Sequence, residues 1–132
     1  MARYMHPDVY DGASNVIKNN ATKLTICETQ PASFAEANTA KGGGGKKLAE
    51  YTVDSADFTL ANGDVSGRKV TVAAQTGNNV SVSGDGDHIA LLDVANSKLL
   101  NVTVCTLQTL TAGNPVNTAA YDIEFEAPTA PA

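Results

Sequence analysis

The sequence predicts an all-β domain, an antiparallel β-sandwich of about eight strands with an extended N-terminal arm. Two observations carry that expectation. Val70, Val72 and Ala74 alternate with Lys69, Thr71 and Gln75, and Tyr121, Ile123 and Phe125 alternate with Asp122, Glu124 and Glu126. A period of two sends one set into a core and the other into water, because successive strand side chains point to opposite faces. The apolar runs are also short and cut by Gly, Asn and Asp, as in hairpins and meanders rather than parallel strands with helical crossovers.

Residues 1–21 read as the arm. Tyr4, Met5, Val9, Tyr10, Val16 and Ile17 are apolar but widely spaced, with Pro7 and Gly12 among them. Ala13 to Lys18 is expected to form a short helical turn. Such a segment either packs over the domain or reaches a neighbouring copy. The sandwich is expected over residues 22–126. Thr22 to Glu28 is the first strand, and Thr29-Gln30-Pro31 ends it, since proline removes a ladder donor. Ser33 begins a short helix as N-cap, with Glu36 three places on. Gly42 to Gly45 is a flexible loop, where order needs a contact with something else.

Leu48 to Val53 and Asp57 to Ala61 follow as strands, then a turn at Ala61-Asn62-Gly63-Asp64. Further strands are expected at 68–75, 79–83, 88–95, 98–107 and 119–126. Their connections are Thr76-Gly77-Asn78, Gly84-Asp85-Gly86-Asp87, Asn96-Ser97 and Gly113-Asn114-Pro115. Two strands are apolar on both faces. Ile89 and Leu91 oppose Ala90, Leu92 and Val94; Leu100, Val102 and Val104 oppose Leu99, Cys105 and Leu107. Such a strand lies centrally or has one face held against another subunit. Residues 127–132 are Pro-rich and aperiodic, a loose tail. A jelly-roll connectivity is compatible with this pattern.

At 132 residues the chain is read as one domain, large enough to build a core without disulfide or metal. Charged residues make up only 17%, below the usual quarter, and Thr, Ser, Asn and Gly fill the difference. The net charge of −5 repels phosphate backbones, which speaks against nucleic-acid binding. The one basic cluster, Lys41, Lys46 and Lys47, reads as a solvated loop. No stretch has the length of a signal-peptide core or of a bilayer span, so no membrane partner is expected and the chain is expected to be made in a cytoplasm and stay soluble. Cys27 and Cys105 are expected as free thiols, with an inter-strand disulfide as the alternative.

The chemistry-bearing patterns are weak. Gly42-Gly43-Gly44-Gly45-Lys46-Lys47 departs from a phosphate loop: Ala40 stands at the leading Gly and Lys47 at the hydroxyl position. Asp85-Gly86-Asp87-His88 begins like a calcium loop but lacks the later oxygen ligands. His6 and His88 are far apart, and no spacing supports zinc. No Gly-x-Ser-x-Gly element exists, and Asp122, Glu124 and Glu126 share one strand face. The sequons at Asn20, Asn79 and Asn101 carry little weight in so Asn- and Thr-rich a chain. No cofactor and no enzymatic activity are expected.

From Leu48 onward the chain resembles small virion proteins of tailed bacteriophages. The elements that carry the likeness are Asp57-Phe58-Thr59, Gly63-Asp64-Val65-Ser66-Gly67-Arg68-Lys69-Val70-Thr71-Val72, Ser83-Gly84, His88-Ile89-Ala90-Leu91-Leu92-Asp93, Leu99-Leu100 and Thr111-Ala112-Gly113-Asn114-Pro115-Val116. Met5-His6-Pro7-Asp8-Val9 and Cys27-Glu28-Thr29-Gln30-Pro31 have a similar flavour. The resemblance is to capsid decoration, or cement, proteins. It implies a non-enzymatic chain on the capsid surface of a virion, partnered by itself as a dimer or trimer and by a major capsid protein. A tail- or fibre-associated module for host adhesion is the alternative. The expected contact residues are Tyr4, Met5, Val9, Tyr10, Val16 and Ile17 of the arm, and a patch of Leu92, Val94, Leu99 and Leu107.

Overall fold

The structure, a computed structural model, describes residues 4–127. The tail expected at 127–132 therefore lies, beyond Ala127, outside the described residues. Nine strands form antiparallel sheets. The first sheet holds β2 (Lys47–Thr52), β1 (Lys23–Cys27), β6 (Gly84–Asp93) and β7 (Lys98–Leu110), in that order. The second holds β3 (Phe58–Asn62), β4 (Arg68–Val72) and β9 (Tyr121–Phe125); β5 (Gln75–Asn79) and β8 (Pro115–Thr118) pair by themselves. The fold is sandwich-like, as the alternation predicts, and is not a closed barrel. Sheets of four, three and two strands are not the paired four-stranded sheets of a jelly roll.

The main core lies between the first two sheets. Leu24, Ile26, Ile89 and Leu91 meet Phe58, Val70 and Val72, with Tyr121, Ile123 and Phe125 at its margin. Leu24, Leu91, Val70 and Val72 are fully buried, and burying such a side chain contributes about 1.5–3 kcal/mol. Val80 and Val116 extend this core under β5 and β8, where the Tyr51 hydroxyl donates to the Val116 carbonyl. The opposite face of the first sheet carries a smaller cluster of Cys27, Ala90 and Leu92, covered by Ala37 and Phe34 of α2 (Phe34–Asn38). Ser33 caps α2 by accepting from the Glu36 amide at 3.2 Å, as its position predicts.

The largest departure is at the N-terminus. Instead of an extended arm, Pro7–Asn20 is a helix, α1, folded onto β3, β4 and β6. Pro7 stands at its first turn, His6 Nδ1 accepts from the Asp8 amide at 3.1 Å, and Asp8 and Lys18 sit at the ends that suit the helix dipole. Its buried stripe is Tyr10, Ser14 and Ile17. A serine in the middle of that stripe, and Gly12 beside it, conceal the helical period in the sequence. Arg68 Nε clamps the helix through Asp11 at 2.8 Å, and Lys18 Nζ donates to the Phe58 carbonyl at 2.8 Å.

Four strand boundaries also differ. Of the strand expected at 79–83 only Asn79 is in one, the end of β5: Val80 is buried, and the Ser81 and Val82 amides donate to the Leu48 carbonyl on the outer edge of β2. Gly84-Asp85-Gly86-Asp87 is not a turn but the start of β6. At Gly86 a Cβ would meet Ile26 Cγ2 at 2.9 Å and Leu110 Cδ1 at 3.0 Å, so a larger residue there must push those side chains aside. Pro115 opens β8, and Thr76-Gly77-Asn78 lies inside β5. The four-glycine loop is held within the chain. Gly43 and Gly45 amides donate to the Ala40 carbonyl, Lys46 N to the Glu36 carbonyl, and the Thr39 carbonyl lies 1.9 Å from where a Gly45 Cβ would stand.

Candidate interaction surface

Most groups that suggested chemistry are engaged within the chain. Lys41 pairs with Glu28 at 2.9 Å, Lys46 with Glu36 at 3.5 Å and Lys47 with Glu50 at 2.7 Å. The basic cluster is thus neutralised locally. Asp85 accepts from Thr109 Oγ1 at 3.1 Å, while its own amide donates to Glu28 at 2.9 Å. That amide and Lys41 hold the Glu28 carboxyl below the usual range.

Asp87 accepts from His88 Nδ1 at 2.7 Å and from the Thr29 amide at 2.8 Å. The histidine contact, then the amide, lowers its pKa. Cys27 stands opposite His88 in the β1–β6 register. Its thiol is fully buried, and that burial pushes its pKa up, the reverse of what a reactive thiolate needs. Asp122 accepts from Thr71 Oγ1 at 2.7 Å and Lys69 Nζ at 3.0 Å; Glu124 accepts from the Val65 amide at 3.1 Å. The two carboxylates Asp64 and Asp122 push the Lys69 pKa up to about 12. Among the described residues no group of three or more His, Cys, Asp or Glu side chains is placed to hold a metal ion.

Cys27 and Cys105 are free. They lie on opposite faces of the first sheet, Cys27 in the smaller cluster and Cys105 against the main core, so the alternative of a disulfide between them is excluded.

The ten expected contact residues divide by burial. Tyr10, Ile17 and Leu92 face the chain's own core and offer no surface to a partner. They are apolar for internal packing: α1 and the central position of β6 consume them. Leu99 is partly buried against the smaller cluster. Tyr4 (76% exposed), Val9 (56%) and Val16 (52%) face outward with Met5. Val9 and Val16 are seven apart on α1 and share its outer face, with Gly12 and Ala13 between them. Val94 lies in the β6–β7 turn, and Leu107 on β7.

Sequence reasoning did not single out Val104, the most exposed apolar side chain of β7 at 72%. Its signal was present in the two-faced apolar pattern of that strand. A cleft of about 600 Å³ opens beside β7, between it and residues 115–121. Ile26, Ile89, Cys105, Leu110, Val116 and Tyr121 line it. The Tyr121 hydroxyl is buried there without a hydrogen-bond partner among the described residues, and burial raises its pKa.

No helix of the described residues is long and apolar enough to cross a membrane. No family model, no curated protein and no solved structure matches the chain.

Proposed function

We propose that this chain is a non-enzymatic structural protein of a tailed-bacteriophage particle, a decoration protein that binds the outside of the capsid as a homo-oligomer and stabilises the head. The resemblance of its motifs to small virion proteins supports this reading. The observation that carries it is the outer face of α1, where Val9 and Val16 stand exposed while the helix's other face is locked to the domain. A rigid helix offering apolar side chains outward suits docking on a repeating protein lattice. A protein that binds the expanded shell and not its precursor stabilises the shell by mass action, and many linked copies add avidity.

The test is a count of copies on purified particles by quantitative mass spectrometry or cryo-imaging. Stoichiometric copies at repeating head positions are expected, lost when Val9 and Val16 are both replaced by Asp. Heads free of the chain end this reading. A few copies confined to the tail, with adhesion to host cells, would instead support the fibre-associated alternative.

A further inference from the structure

We propose that the free edge of β7 pairs antiparallel with the β7 of a second copy, so that the two four-stranded sheets become one continuous sheet across a two-fold axis. The fold guards the free edges of β2, β3 and β9. The outer edge of β2 receives the Ser81 and Val82 amides at the Leu48 carbonyl and Asn78 Nδ2 at the Glu50 carbonyl. Lys18 of α1 takes the Phe58 carbonyl at the start of β3. β9 carries Asp122 and Glu124, so two copies of that edge repel. β7 has none of these devices. Among the described residues its backbone bonds only toward β6. From Leu99 to Leu110 it has no charge and no proline, two of the features that keep an edge from pairing; its two register shifts against β6 confine regular pairing to residues 101–104 and 108–110.

A second observation points to an occupant. The edge borders the cleft beside residues 115–121, not open solvent alone, and the exposed Val104 lines that cleft. A neighbouring β7 brings threonines and a glutamine, and would cover Val104 and Leu107.

The occupant is a second copy because the strip is self-complementary. An isologous contact sets a patch against itself. In a chain of net charge −5, this is an edge where two copies meet with no like-charge contact. Thr106 and Gln108 both donate and accept, and Thr103 and Thr109, whose hydroxyls already donate to Asn101 and Asp85, still accept, while a charged foreign strand would find no counter-charge.

The inference refines the homo-oligomer of the proposed function, and its test needs no particle. Sedimentation of the purified chain across micromolar concentrations is expected to show a dimer. Val104→Lys and Leu107→Lys each place like charges at the seam and should weaken it by about tenfold or more, about 1.4 kcal/mol. Circular dichroism should stay unchanged, since both side chains are exposed. In the dimer, outward β7 amides should resist hydrogen exchange, and that protection should vanish in the Lys variants. A wild-type chain that stays monomeric, a dimer indifferent to both variants, or a dimer with freely exchanging β7 amides overturns the seam. A monomeric chain that still decorates heads would remove the seam and keep the shell reading; a dimer absent from heads would do the reverse.

Discussion

β6 and β7 look alike as sequence and differ as structure. Both are apolar on two faces, yet β6 lies between β1 and β7 with residues 90–93 buried, while its neighbour leaves Val104 and Leu107 exposed. The difference is one of position. A central strand has neighbours on both edges and layers on both faces; an edge strand with the same composition has a surplus of apolar surface. Two register shifts add to it. They fall between Gly86/His88 and between Leu91/Leu92, and they break the simple alternation of β7. Leu100 and Cys105 turn to the main core while Leu99 and Val102 turn to the smaller cluster. A two-faced apolar strand is therefore either central or incomplete, and composition does not separate the two.

The sharpest break between them is a pair of truncations. Leu91→Ala in β6 removes a fully buried side chain and should cost about 3 kcal/mol in urea unfolding. Val104→Ala in β7, measured on dilute protein, should stay within about 0.5 kcal/mol. Equal losses would show that β7 is as embedded as β6.

Gly86→Val comes next. Its side chain would press on both Ile26 of β1 and Leu110 of β7, and overpacking of this kind costs about 1–3 kcal/mol. A neutral outcome would mean that β7 moves freely against β6.

Acid should weaken the β6 side, among other places where a carboxyl is held down, such as Glu50 and Asp122. The Glu28 and Asp87 carboxyls sit below their usual pKa because they accept from the Asp85 amide and from His88. A depressed folded-state pKa adds stability above the unfolded value, which fades as pH falls through the carboxylate range. Unfolding midpoints should be level from neutral pH to about 5 and drop below about 4. Asp87→Asn should flatten that drop, because it deletes one of the titrating groups; an unchanged curve would assign the acid sensitivity elsewhere.

The smallest effect concerns the thiols. Burial raises both pKa values, but Cys27 is fully buried and Cys105 only partly. Alkylation of the native protein at mildly alkaline pH should label Cys105 alone, read by peptide mass, and Cys27 only after unfolding. Equal labelling would mean that the first sheet opens at β1.

Much of the body was legible. The period of two at Val70–Val72 and Tyr121–Phe125 marks core strands because the pleat alternates faces whatever the partner. Ser33 and Glu36 mark a helix start because capping is local. α1 was not legible as a whole helix, since Ser14 interrupts the apolar stripe and is accommodated only by what packs over it. The candidate surface was legible in part. Val9 and Val16 reach the outside and Tyr10 and Ile17 do not, a division that depends on which face of α1 the sheet takes.

Sequence by itself determined the β class, the helix caps and the places where strands could not continue, because alternation, capping and backbone freedom act over a few residues. Tertiary structure decided which two-faced strand became the middle of a sheet and which became its edge. It also turned the N-terminal segment into a packed helix. Those outcomes depend on pairings between residues far apart in the chain, such as Ile89 with Thr103 and Ile26 or Arg68 with Asp11, and no local pattern encodes which partner arrives.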